Sequence, residues 1–101
     1  MSSLTQATQE PKTPSATVMM HAAKISIVQD RPIMMDYWTD ALEGHSFVGV
    51  KTSGEKMLVK NESEYTSPIA KIFKVENEYI ISTENSLYVV PATILSKRIK
   101  D

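Results

Sequence analysis

The chain has no cysteine. A disulfide framework, a thiolate metal site and a cysteine nucleophile are all excluded by that one absence. Glycine is scarce as well. Gly44, Gly49 and Gly54 are the only three, and their spacing forms no phosphate-cradling loop. The two histidines, His21 and His45, lie far apart in the chain. They supply neither the clustered ligands of a zinc site nor the context of a catalytic Ser-His-Asp set. No apolar run approaches the roughly twenty residues of a membrane-spanning helix. The N-terminus lacks the basic start and long apolar core of a secretion signal. Net charge is −1, so no bulk positive field draws in nucleic acid or an acidic membrane, although a local basic patch stays open. The expectation is a soluble intracellular protein of cytoplasm or nucleus, with no cofactor, no metal and no membrane partner.

What is present is unevenly distributed. Of 101 residues, 42% are hydrophobic and 23% charged, values ordinary for a globular protein. Residues 1–23 hold one acid, Glu10, and one base, Lys12, among Ser, Thr, Gln, Ala and Pro. That composition, with Pro11 and Pro14, reads as a disordered tail. Residues 24–101 hold nearly all the charge and the β-branched and aromatic side chains. They read as one small domain.

Within that domain, short β-rich runs alternate with turn signals. The runs are Lys24–Val28, Ile33–Trp38 reaching toward Leu42, Ser46–Lys51, Lys56–Lys60, Ile69–Glu76, Glu78–Thr83, Ser86–Val90 and Ile94–Ile99. Gly54 in Thr52–Glu55 supplies the positive φ of a tight hairpin. Gly49, inside a strand, marks a bulge, a bend or a close backbone approach. No stretch keeps a helical period beyond a single turn near Pro91–Ile94. Seven to eight short strands predict an all-β fold, a small antiparallel barrel, SH3-like or related. Several strands carry apolar residues on both faces, Ile69–Glu76 and Ser86–Val90 among them. A half-buried strand alternates apolar with polar. The second face must therefore pack on the tail, on another sheet or on a partner.

The segment Pro32–Asp40, PIMMDYWTD, holds the only tryptophan. Read as a strand, it sets Ile33, Met35 and Tyr37 on a core face, and Met34, Asp36, Trp38 and Asp40 on the other. A tryptophan and a methionine beside two acids suit a protein-binding surface. The alternative is that Trp38 fills the barrel. On an extended strand Asp36 and Asp40 stand about 13 Å apart at ~3.3 Å per residue, too far for a glycosidase pair without a bend. No other catalytic constellation emerges, so the expectation is no enzyme. Small barrels also bind single-stranded nucleic acid by stacking bases on aromatics above a basic rim. Here the candidate cations are Lys51, Lys56, Lys60, Lys97, Arg98 and Lys100, with Tyr65, Tyr79 and Tyr88 to stack. Acids interleave throughout, so a protein partner or self-association ranks first and nucleic acid second.

The Asp-Tyr-Trp triplet at 36–38, the Gly-Glu-Lys hairpin at 54–56, the Glu-Tyr-Thr-Ser-Pro loop at 64–68 and the Thr-Glu-Asn-Ser turn at 83–86 resemble small uncharacterised proteins of large nucleocytoplasmic DNA viruses. The likeness spans most of residues 24–99 and none of the tail. It implies a virally encoded structural or accessory module, carried in a virion or acting in a host cell. These motifs carry no catalytic signature.

Overall fold

The computed structural model describes residues 12–100. Its first element is a helix, α1, Ala16–Gln29. Ser15 caps it: its Oγ accepts from the Val18 amide at 3.1 Å and donates to Glu78 Oε1 at 3.1 Å. Asp30, at φ 55°, closes it in the left-handed conformation, with its N–H on the Ser26 carbonyl. Pro32 follows and prevents continuation. Two expectations are corrected here. Lys24–Val28 is helical, not a strand, and the expected tail boundary at residue 23 falls inside the helix. Val18, Ala22 and Ile25 recur at helical spacing and bury against a sheet. That burial outweighs the modest β preference of the Ile-Ser-Ile-Val run. The part of the expected tail at 1–11 lies outside the described residues.

The strands form two four-stranded sheets. The first comprises β1 (Ile33–Met34), β5 (Ile69–Val75), β6 (Glu78–Thr83) and β7 (Leu87–Pro91), in the order β1-β7-β6-β5. β5, β6 and β7 are an antiparallel meander, and β1 joins β7 in parallel. Glu76, at φ 54°, makes the tight β5–β6 turn beside Asn77. The second sheet comprises β2 (Phe47–Val50), β3 (Lys56–Asn61), β4 (Glu64–Tyr65) and β8 (Leu95–Arg98), in the order β4-β3-β2-β8. β2 and β3 form the expected hairpin, with Gly54 at φ 94°. β8 returns parallel to β2.

The molecule is mostly β, but the two sheets do not close into a barrel and a 14-residue helix completes the core. The first sheet is the middle layer. Ile80, Leu87 and Val89 pack on Val18, Ala22 and Trp38. Across the sheet, Ile81 and Val90 pack with Tyr37, Ala41, Val48 and Leu58, joining it to the second sheet. Apolar residues on both faces of β6 and β7 are thus covered on both, as buried strands require. Among the described residues no helix is long and apolar enough to cross a membrane.

Candidate functional site

The expected strand through Pro32–Asp40 does not form. β1 ends at Met34, a turn follows, and Trp38–Leu42 is a short helix, α2. Period-two alternation therefore fails, and the four proposed contact residues do not share a face. Met34 and Asp36 are exposed, Asp40 is half-buried, and Trp38 is 5% exposed. The Trp38 ring lies in the core cluster beneath α1, and its Nε1 donates to the Lys12 carbonyl at 3.0 Å. Tyr37 faces the opposite cluster, edge-on to Tyr88 with ring centroids 5.4 Å apart. One tryptophan and one tyrosine in sequence thus serve two different cores.

The six candidate cations also separate. Lys60 turns inward: its Nζ lies 3.6 Å from Asp40 Oδ2, 3.8 Å from Glu64 Oε2 and 4.8 Å from the Tyr37 ring centroid. Lys56 pairs with Val50 on the face of β3 opposite Met57. Arg98 alternates with Lys97 on β8 and projects to the other side. Lys51, Lys97 and Lys100 remain together. Lys51 and Lys100 border a groove of about 610 Å3, and Lys97 Nζ sits 4.8 Å over the ring of Phe47, which lines it. Of the proposed stacking residues only Tyr65 reaches this groove, at 59% exposure. Tyr79 and Tyr88 pack between the sheets.

The groove is the outward face of the second sheet. Strand alternation builds it: Val48 and Leu58 point into the core, so Phe47 and Gly49 on β2 and Met57 and Val59 on β3 point out. Ile99 lies across Gly49; a Cβ there would meet its Cδ1 at 2.8 Å and Val59 Cγ2 at 3.0 Å. Position 49 is the close approach that its glycine signalled. Tyr65 forms one wall, opposite Val59 in the β3–β4 register. Glu62 supplies the single carboxylate of the lining. The result is an apolar floor with an exposed phenol on one side and cations at the rim. Phe47, Met57, Val59 and Ile99 were not singled out as site residues in the sequence. Their signal was the alternation of Ser46–Lys51 about Gly49.

Two further features have chemical content. Asp40, Glu43 and His45 offer ligand atoms that lie within 4.8 Å of one another, at the turn after α2. Their i, i+3, i+5 spacing is not a conventional ligand pattern. Any cation there would compete with the Lys60 ammonium for Asp40. Burial, and then the negative charge of Tyr88, Asp36, Glu64 and Asp40, raises the Tyr37 phenol far above its ordinary range. It therefore stays protonated at neutral pH and offers no general base. Burial raises Tyr88 as well, against a lowering hydrogen bond from Ser86. No protein-family model, curated protein or solved structure matches this chain.

Proposed function

We propose that the chain is a non-catalytic binding module that takes a segment of a partner protein into the groove of the second sheet. The observation that carries this reading is the groove itself, an apolar floor in which Met57 and Val59 are buried and Phe47 and Ile99 half-buried, beside an exposed Tyr65. Pockets of this kind hold apolar anchor side chains, and a tyrosine at the wall adds contact area at low entropic cost. The rim favours one class of partner. Lys51 is held by Glu55 at 3.1 Å, and Lys97 and Lys100 stand against Glu62, so an apolar anchor flanked by carboxylates fits best.

A selection from a random peptide library on the full chain tests this. Recovered peptides should pair a large apolar residue with nearby Asp or Glu. Tyr65→Ala should weaken them by tenfold or more, about 1.4 kcal/mol. A Lys97→Glu, Lys100→Glu double variant should shift the preference toward basic flanks. Binding that survives both changes would refute the groove.

One observation favours the runner-up. Three of the six candidate cations edge the same groove as Phe47 and Tyr65, the layout of a single-strand stacking surface. Anisotropy of a labelled oligothymidine, followed across a salt series, separates the readings. Saturable binding that falls steeply with salt and is lost in the double lysine variant would put nucleic acid first.

A further inference from the structure

Helix α1 buries one stripe and leaves another apolar stripe in water. Val18, Ala22 and Ile25 face the first sheet. On the far side Met20 is 50% exposed, Ile27 80% and Val28 82%. A shallow slot whose apolar residues are Ile25, Val28 and Phe73, with Lys24, Gln29 and Lys71 beside them, runs from this stripe to β5. A helix apolar on both sides is ordinarily covered on both.

The charges around the stripe indicate what covers it. Lys24 stands three residues before Ile27 on the helix, and Asp30, the left-handed residue that ends α1, stands three after it; both are exposed. Neither has an ion-pair partner among the described residues. A two-fold axis passing through Ile27 brings each Lys24 opposite Asp30 of the other copy, so the two charges are satisfied reciprocally. The two Lys24 then stand about 9 Å apart along the helix axis, at 1.5 Å per residue, and do not oppose each other. A surface with opposite charges disposed evenly about a central apolar residue is complementary to itself.

We propose that α1 is a homodimer interface, on which a second copy docks antiparallel, Ile27 against Ile27, closed by two Lys24–Asp30 pairs. This surface is separate from the groove of the second sheet, and neither proposal depends on the other. A contact of one helix face and its margin belongs to the small, transient class of interfaces, below about 1,200 Å2. The dimer is therefore weak and concentration-dependent.

Sedimentation velocity of the full chain from about 5 to about 500 μM should show a monomer passing to a dimer, with a dissociation constant in the micromolar range. Ile27→Glu changes a position that is 80% exposed, so the fold tolerates it. It should weaken the dimer at least tenfold. Lys24→Glu and Asp30→Lys each turn attractive pairs into repulsive ones, and each alone should weaken dimerisation. An equimolar mixture of the two should recover it as a heterodimer, because every pair is again opposite in sign. A monomer throughout the concentration range overturns the proposal. So does a dimer indifferent to Ile27→Glu, or a monomer that instead co-floats with anionic lipid vesicles through Ile27. Failure of the mixture to recover the dimer, with both variants folded by circular dichroism, overturns the antiparallel register.

Discussion

The absence of one side chain shapes the groove. Were residue 49 alanine, its methyl would stand 2.8 Å from Ile99 Cδ1 and 3.0 Å from Val59 Cγ2, and the ends of those side chains would have to shift. Tyr37 is the residue whose chemistry is most altered by its surroundings. Burial and neighbouring negative charge hold its phenol protonated above its ordinary value of 10.0. Below about pH 10 the folded and unfolded chains both carry the proton. Above it the unfolded chain releases the proton while the folded chain keeps it, so stability falls as pH rises. One such group contributes a slope of at most about 1.4 kcal/mol per pH unit. Tyr37→Phe keeps the ring beneath Lys60 and against Tyr88 but removes the titration. Urea unfolding at about pH 8 and about pH 11 should show a smaller alkaline loss in the variant than in the wild type. The two proteins differ in no other titratable group, so the difference isolates the phenol. Equal losses would mean that Tyr37 ionises as readily folded as unfolded.

At the scale of elements, the local signals that were legible are those with a short-range cause. Gly54 marked the β2–β3 hairpin, and β5, β6 and β7 fall where their β-branched runs and polar turns placed them. α1 was not legible, because Lys24–Val28 carries the residues of a strand while Val18, Ala22 and Ile25 carry the spacing of a helix. Only the sheet against which they pack decides between them. The segment around Trp38 failed for a related reason. Its alternation suited a strand, but Tyr37 and Trp38 are each drawn to a different core. The groove was half legible: Gly49 and three of its lysines were noted, its apolar floor was not. The cap of α1 is a local cause that acts on the tertiary structure. Ser15 joins the helix to β6 through Glu78, which is 8% exposed. Ser15→Ala should cost about 1 kcal/mol for the cap, and more because a buried carboxylate loses a donor. The melting temperature should drop by at least about 4 °C, with Ser15→Thr restoring most of it. An unchanged melting temperature would show that the cap carries no weight in the folded chain.

On the scale of the whole molecule, the first sheet explains why a chain of this size needs its helix. The sheet has two apolar faces: the second sheet with Tyr37 and Ala41 covers one, and α1 with Trp38 and Leu42 covers the other. Reading the domain as starting at residue 24 cut through that cover. The consequence can be tested by removing residues 1–29. The remaining chain keeps every strand and every hairpin of the two sheets. It loses Val18, Ala22, Met19 and Ile25, and leaves Ile80, Leu87, Val89 and Trp38 bare. Fully burying one such aliphatic side chain is worth roughly 1.5–3 kcal/mol. Exposing four such side chains costs about 6–12 kcal/mol, comparable with the stability of about 5–15 kcal/mol that a domain has in total. The truncated chain should lose its cooperative thermal transition and its near-ultraviolet signal from Trp38, and should associate through the bare sheet. Supplying a peptide of residues 12–30 in excess should restore both, because the helix docks on a surface that the strands already define. A truncated chain that melts cooperatively with an intact Trp38 signal would mean that the sheets stand without α1. The helix would then be an appendage and not the third layer of the fold.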